Sequence, residues 1–570
     1  MRHYLGISCC IVILDSHVLW RTILSFAEIL LKIIMKRNKF LIGILTENRS
    51  MGASMIAALA QDYGWDVEIV FFPSQADATV VQNCVVEAKP DLFALSFRSY
   101  ERKQAFEIAS IVKEMGIKTV AGGTHPTMLP KDLVQCGYFD AIIQGDGMGV
   151  LNKILDGYKS LGDSQIIQGR NHHDKRVYLR YFFSDSQQSV MRSTRTVNIL
   201  TSIGCPFSCK YCGSSRQKYL KLSEQDLVDS MVKLVQDYGI RIFTLQDDLL
   251  FANVKRVQRI SDLLEHMLPG QEVGFGKSIN ARAADFNEEL AAELVKLKIT
   301  DVSFGIESAS TKLLRFLNKK QTQEDCYRAI EICHKFGLYS RVNLMFGIPT
   351  QDREDYELSL KFIEEAKPDI VNSFYFFPYP GTDLYDYCFD YCYFPETYDR
   401  NRFDWFDPEI DGIRDIQFHL NNVDYDLASD YMDRINGIYD ISNFLPPLLN
   451  EFDRYPWVLI GSSVQIYFSQ ILQHLKKYSM KNCLGYWDID PMAAYSVDKR
   501  VEYPKYLPNS GKNPISFVTY CHVSSRDYQN LKNLINKKFC NIPLISISTM
   551  ERHTVEEIRQ MLDVSEKQKF

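Results

Sequence analysis

Three α/β parts in series are what this 570-residue sequence predicts: a doubly wound, Rossmann-like parallel sheet, a partial (β/α)6 barrel, and a C-terminal α/β unit. Two patterns carry that prediction. Short apolar runs alternate with helical-period segments through residues 40–157, and again, six times, through residues 197–385. At the head of the second series, the β-type run Thr196–Leu200 leads into Cys205, Cys209 and Cys212 at CxxxCxxC spacing. It reads as a strand emptying into a ligand loop.

The composition, 46% hydrophobic and 24% charged, is that of a globular chain long enough for about three domains. With 65 basic against 71 acidic residues the net charge is −6. That gives no global attraction to phosphate backbones and argues against a nucleic-acid partner. Fourteen cysteines in no small-domain framework fit a reducing compartment, so a cytoplasmic location is expected.

Residues 1–37 read as an N-terminal extension. It is either upstream sequence ahead of a start at Met35 or an amphipathic segment. Asp15, Arg21, Glu28 and Lys32 interrupt its apolar run, so nothing reaches the roughly 18 uncharged residues of a membrane span, and none is expected.

Residues 38–160 form the first predicted domain, with strands near 40–45, 67–72, 92–97, 118–121 and 141–143. Such sheets bind ligands beyond the carboxyl ends of their strands. Those ends carry Thr46–Ser50, Ser96–Ser99, Gly122-Gly123-Thr124-His125-Pro126 and Gln144-Gly145-Asp146-Gly147. Gly122, Gly123, Gly145 and Gly147 let backbone approach a large flat ligand. His125, between Thr and Pro, reads as a hydrogen-bonding turn residue. Residues 161–195 lack periodicity and read as a linker, with His172-His173 a solvated pair.

Residues 196–395 form the barrel. Strands are predicted near 197–202, 240–245, 274–279, 302–306, 341–346 and 369–376, and helices near 224–238, 254–267, 288–297 and 324–336. Barrel chemistry gathers at the carboxyl ends of the strands. Those ends bring the cysteine loop, Asp247 and Asp248, Arg282, Glu307, Asn343, Gly347 and Ile348 around one mouth. Carboxylates there can hold an ammonium, and a guanidinium can hold a carboxylate. The alternative for each single residue is a salt bridge of the barrel rim.

Three thiolates within eight residues are soft ligands that can face one iron–sulfur cubane if the loop curls, and Gly204 and Pro206 supply the curl. Three ligands leave one iron open to a chelating small molecule. A structural zinc would want a fourth ligand at finger-like spacing, and none follows. Cys388 and Cys392 repeat a CxxxC spacing without a third thiolate and read as core cysteines.

The cysteine spacing, the strand before it, Tyr211 beside the last cysteine and the succession of strand ends together resemble the radical S-adenosylmethionine (radical SAM) superfamily. With the GGTHP and QGDG loops upstream, the chain resembles the cobalamin-dependent members of that family. The resemblance implies a 4Fe-4S cluster on Cys205, Cys209 and Cys212, with S-adenosylmethionine chelated at the fourth iron and Tyr211 near its adenine. It implies Asp247 or Asp248 at the methionyl amino group, and Arg282, Glu307 and Asn343 around the ribose and carboxylate. Gly347 and Ile348 would border the adenine, and Gly122, Gly123, Gly145 and Gly147 would cradle cobalamin.

The cobalt-ligating DxHxxG motif is absent; the loop reads Glu47-Asn48-Arg49-Ser50-Met51-Gly52, so no protein ligand to cobalt is nominated. The implied chemistry is formation of a 5′-deoxyadenosyl radical and methylation of an unactivated centre in a small molecule. An electron donor such as flavodoxin or ferredoxin would feed it. Cobalamin-assisted rearrangement or cyclisation, methylthiotransfer, or a non-enzymatic iron–sulfur sensor are the alternatives.

The resemblance stops near residue 395. Residues 396–570 suggest an accessory α/β domain with strands near 458–463, 484–489, 516–520 and 542–548. Gly461 stands there without a GxGxxG pattern.

Overall fold

The computed structural model describes residues 37–45, 51–73, 76–216, 219–249, 253–270, 273–276, 278–396 and 419–439, with four strands beyond them and residues 532, 533 and 560. The extension at 1–36 and the loop 46–50 lie outside the described residues.

A six-stranded, wholly parallel sheet opens the chain: β1 (Lys39–Ile44), β2 (Asp66–Phe71), β3 (Leu92–Ser96), β4 (Lys118–Gly122), β5 (Ala141–Gln144) and β6 (Gln165–Gln168), ordered β2-β1-β3-β4-β5-β6. The reversal at β1/β3 is the doubly wound topology. Because both faces are covered, the run from Phe40 to Leu45 carries no polar side chain: Phe40, Ile42 and Ile44 enter one core, Leu41 and Leu45 the other.

The segment read as a linker is different in kind. It supplies β6, whose residues Gln165–Gln168 pair in parallel with Ala141–Gln144, and then a strap of fixed contacts. Phe182 N–H donates to the Ser54 carbonyl at 3.1 Å, and Ser54 Oγ donates back to the Phe182 carbonyl at 2.5 Å. Ser230 Oγ, on the helix Glu224–Tyr238, donates to the Leu179 carbonyl at 2.7 Å. Val177, Tyr178, Leu179 and Met191 are buried in a core that runs unbroken from the first sheet into the barrel. Two adjacent isoleucines flanked by glutamines carry no period, so β6 leaves no signal in the sequence.

The barrel strands are β7 (Thr196–Ile199), β10 (Ile242–Leu245), β11 (Gly274–Phe275), β12 (Ser278–Ala281), β13 (Asp301–Glu307), β14 (Tyr339–Phe346) and β15 (Ile370–Tyr375); β8 (Ser202–Ile203) and β9 (Leu220–Lys221) belong to a separate two-stranded ladder. They form two parallel arcs, β11-β10-β7 and β12-β13-β14-β15. The strand expected at 274–279 breaks between β11 and β12, where a Cβ on Gly276 would lie 3.0 Å from Thr244 Oγ1. β8 and β9 pair antiparallel and close the neck of the cysteine loop between them.

Beyond the barrel, the helix Tyr425–Tyr439 packs its buried Tyr431, Met432 and Ile435 into the barrel core. Four parallel strands follow, β16 (Trp457–Gly461), β17 (Cys483–Asp488), β18 (Ser516–Thr519) and β19 (Leu544–Ser546), ordered β17-β16-β18-β19. No described helix is long and apolar enough to cross a membrane.

Candidate active site at the cysteine loop

The loop between β8 and β9 is held from three sides. From behind, the buried Asp247 carboxylate accepts from Thr201 N–H (3.0 Å), Thr201 Oγ1 (2.8 Å), Ser202 N–H (2.6 Å) and Ser202 Oγ (2.7 Å). Beside it, buried Arg256 donates to the Thr201 and Leu222 carbonyls, both at 2.8 Å, and to Glu224 at 2.6 Å. From below, Lys210 N–H donates to the Leu317 carbonyl at 3.0 Å, and the Asn318 amide donates to Ser208.

Cys209 is buried, and Cys205 and Cys212 are half-buried, all as free thiols. Burial pushes the Cys209 thiol up, and the nearby cations Lys319 and Arg282 pull against it. Among the described residues no group of three or more His, Cys, Asp or Glu is placed to hold a single metal ion; a cubane bound at separate irons asks for a wider spacing. The donor set fits such a cluster: three thiols on one bent loop, with cationic side chains beneath.

Those cations form the least expected part of the site. Lys319 Nζ donates to Glu307 Oε1 at 2.8 Å and to the Tyr211 hydroxyl at 2.8 Å, while Tyr211 Oη donates to the same Glu307 oxygen at 2.8 Å. Lys319 and Glu307 are both buried. Burial alone would push the Lys319 ammonium down, but Glu307 and the cysteines hold it above its ordinary value. Burial, reinforced by Glu307, raises the Tyr211 phenol well above its usual range.

Local backbone delivers this cluster. β13 shifts register against β14 between Gly305 and Glu307, and Glu307 takes a left-handed φ of 66°. A Cβ on Gly305 would lie 2.5 Å from Glu307 Oε1 and 2.8 Å from Lys319 Nζ, so the ends of the pair occupy the space a side chain there would take. Asn318 and Lys320, also at positive φ, turn Lys319 inward. Gln321 locks the turn by donating to the Gly305 and Ile306 carbonyls at 3.2 Å. No sequence signal marked Lys319, because a lysine in a polar turn is ordinarily solvated.

Other expected residues divide. Arg282 stacks its guanidinium 3.6 Å from the Phe207 ring centroid, pairs with Asp285 at 3.1 Å, and leaves its buried Nε without a partner. That donor is available to an anionic ligand. Asp247 is consumed by the loop, whereas Asp248 is exposed at the same strand end. Asn343 sits in an uncharged amide row, donating to Ser303 Oγ at 3.1 Å and accepting from Asn372 at 2.9 Å. Gly347 has φ 73° and is covered by Tyr425, and Ile348 is wholly buried among Leu313, Phe376 and Tyr425. The structure therefore gives Ile348 a packing role. Cys388 is a core residue, but Cys392 is exposed, a correction to reading both as core.

At the first sheet, Gly123 has φ 101° and a Cβ there would meet Phe97 O at 2.8 Å; Gly122 faces open space, with nothing within 4 Å. Gly145 also has φ 101°, while Gly147 packs against Ile56 and Ile143. A side chain at Gly122 would thus enter open space, whereas one at Gly147 would meet packed isoleucines. His125 is buried, its Nδ1 3.0 Å from Ser99 Oγ and its Nε2 2.9 Å from Asp132. The helix Thr124–Met128 carries the sheet to the barrel: the Met128 methyl lies against Gly213 of the cysteine loop and Gly381 beyond β15.

A model of the B12 binding domain matches residues 42–155, and one of the radical SAM superfamily matches residues 199–363. The chain thus carries both domains that mark the cobalamin-dependent radical SAM enzymes, whose cofactors are a 4Fe-4S cluster, S-adenosylmethionine and cobalamin. An uncharacterized methyltransferase of Pyrococcus horikoshii is 26% identical over 321 residues, covering 52% of this chain and 69% of that one. The anaerobic magnesium-protoporphyrin IX monomethyl ester cyclase of Rubrivivax gelatinosus is 24% identical over 344 residues, covering 54% of this chain and 60% of the cyclase. In fold, the cobalamin-dependent S-adenosylmethionine radical enzyme OxsB, solved with aqua-cobalamin and S-adenosylmethionine, aligns with a TM-score of 0.57 at 13% identity, over 78% of this chain and 76% of OxsB.

Proposed function

We propose that this protein methylates an unactivated centre of a small molecule in the cytoplasm, drawing single electrons from a donor such as flavodoxin or ferredoxin. The observation that carries the reading is the Met128 contact. It sets the end of the first sheet beside the cysteine loop, which supports a reading in which groups bound at the two places serve one reaction. When bound, the cluster with S-adenosylmethionine supplies a 5′-deoxyadenosyl radical, and cobalamin supplies a transferable methyl group.

The chain's own tasks are alignment and exclusion of water. Cys205, Cys209 and Cys212 hold the cluster. Asp248 holds the methionyl ammonium, and the spare Arg282 Nε donates toward its carboxylate. The amide row at Asn343 and Asn372 offers the substrate uncharged donors and acceptors. Gly122, Gly123 and Gly145 admit the corrin.

A second reading, cobalamin-assisted cyclisation, is favoured by the similarity to the cyclase. Methylthiotransfer is less supported, since Cys84 and Cys136 lie on separate helices of the first sheet. Anaerobic reconstitution with methyl-labelled S-adenosylmethionine tests the proposal. Label passing through cobalt into product, with 5′-deoxyadenosine formed, supports it; 5′-deoxyadenosine without methylated product points to cyclisation or rearrangement.

A further inference from the structure

The C-terminal sheet lies outside both family matches, which end at residues 155 and 363. Its strand order, β17-β16-β18-β19 with every pair parallel, repeats the β2-β1-β3-β4 order with which the chain begins. The connections therefore reverse direction between β16 and β18. In an open parallel sheet, ligands are received at that switch point, outside the carboxyl ends of the strands.

The sheet also parts there. β16 stays paired with β17 as far as Gly461 and Asp488, and β18 with β19 as far as Thr519 and Ser546. Between them, the ladder that joins β16 to β18 ends earlier, at Leu459 and Val518. A register shift sets what stands at the parting. Trp457 is partnered by Cys483 but Leu459 by Tyr486, so β17 carries one extra residue in that interval. Without it Trp487 would stand beside Gly461; with it Asp488 does. Bulges commonly re-aim a strand end in this way beside a ligand site. The four strands then end on Gly461, Asp488, Thr519 and Ser546, glycine or polar in each case, after apolar runs such as Val458-Leu459-Ile460.

Composition narrows the ligand. Residues 457–570 hold 15 lysines and arginines against 10 aspartates and glutamates, whereas the whole chain holds 65 against 71. A basic unit within an acidic protein favours an anion. A carboxylate only accepts hydrogen bonds, and its two oxygens suit the neighbouring hydroxyls of a ribose. Glycine at a strand end lets a phosphate approach the backbone.

We propose that the C-terminal sheet binds a nucleoside diphosphate at the parting of β16 and β18, with Asp488 accepting from the ribose hydroxyls and the phosphates lying at Gly461. The missing GxGxxG turn favours a mononucleotide over a dinucleotide. The site is separate from the barrel and needs neither cluster nor cobalamin.

The full-length protein, reconstituted anaerobically with cluster and cobalamin, is titrated by calorimetry with ADP, with UDP and with their 2′,3′-dideoxy analogues. The Asp488→Asn variant is titrated in parallel. ADP or UDP should bind saturably at one site, and the preferred base identifies the nucleotide. Loss of the ribose hydroxyls, or Asp488→Asn, should weaken that binding about ten-fold or more, as expected for hydrogen bonds to a charged group. S-adenosylhomocysteine should not displace the nucleotide. No saturable binding of either nucleotide, equal affinity for the dideoxy analogues, or unchanged affinity in Asp488→Asn would overturn the proposal. Displacement by S-adenosylhomocysteine would also overturn it and move the nucleotide to the barrel. If Asp488→Asn lowers the melting temperature or does not fold, the comparison of ribose with dideoxyribose on the unaltered protein decides.

Discussion

Asp247 and Ser202 are joined twice, by backbone N–H and by hydroxyl, to the same carboxylate oxygen at 2.6 and 2.7 Å. Asp247 is therefore the post to which the cysteine loop is tied, and the neighbouring Asp248 is left exposed at the same strand end. Replacing Asp247 by Ala strands several buried donors, at a cost of about 3 kcal/mol. Thermal unfolding should fall and iron uptake should fail together. Asp248→Asn should leave the melting temperature unchanged while weakening S-adenosylmethionine binding about ten-fold, the worth of one charge-assisted contact. Equal melting-temperature losses for both variants would contradict the division of labour.

Single Ala replacements of Cys205, Cys209 or Cys212 should abolish the visible absorption of the reconstituted cluster. Cys392→Ser should retain it, and Cys388→Ala should retain it at reduced stability, since that thiol is wholly buried. Full iron loading without any one of the first three would remove the central assignment.

The two leading glycines of the first sheet should part company. At Gly122 a Val side chain enters open space, so Gly122→Val should lose cobalamin uptake, read by absorbance, with an unchanged melting temperature and cluster. Gly123→Val meets the Phe97 backbone and sits at positive φ, so it should destabilise the sheet with or without cobalamin. Normal cobalamin affinity in Gly122→Val would place the corrin elsewhere.

Glu224 gives the loop an acid limit. Burial pushes its carboxyl up, but hydrogen bonds from backbone, Lys221 and Arg256 outweigh that and hold it down to about 2, against an ordinary 4.5. A carboxyl depressed on folding contributes stability that is complete above its unfolded value and is lost as pH falls through the folded one. The contribution should therefore disappear between pH 4.5 and 2, and Glu224→Gln should flatten that part of a denaturation-versus-pH curve. An identical slope in the variant would show that the pairing adds nothing.

Much of this architecture was legible because parallel strands buried on both faces must be apolar throughout, as Phe40–Ile44 is. The carboxyl ends of the strands could then be read for polar residues, and the reading found Asp247, Asp248, Arg282, Glu307 and Asn343. It could not rank them. Neighbouring residues at a strand end face opposite ways, so which aspartate is buried depends on register and not on residue type. Lys319 was invisible for a different reason. Its partner stands 12 residues away and is aimed by a register shift at Gly305, which is a property of backbone geometry. Ile348 shows the converse, an apolar residue at a strand end that simply packs.

The Met128 contact gives the enzyme a vulnerability separate from its iron. A thioether that bridges two glycines becomes bulkier and polar as a sulfoxide, wedging the first sheet away from the cysteine loop. Brief exposure to peroxide should thus leave damage that rebuilding the cluster cannot mend. Treatment with methionine sulfoxide reductases should mend it, and Met128→Leu should escape it. Complete recovery of the unaltered protein by cluster rebuilding alone would show that this joint tolerates oxidation.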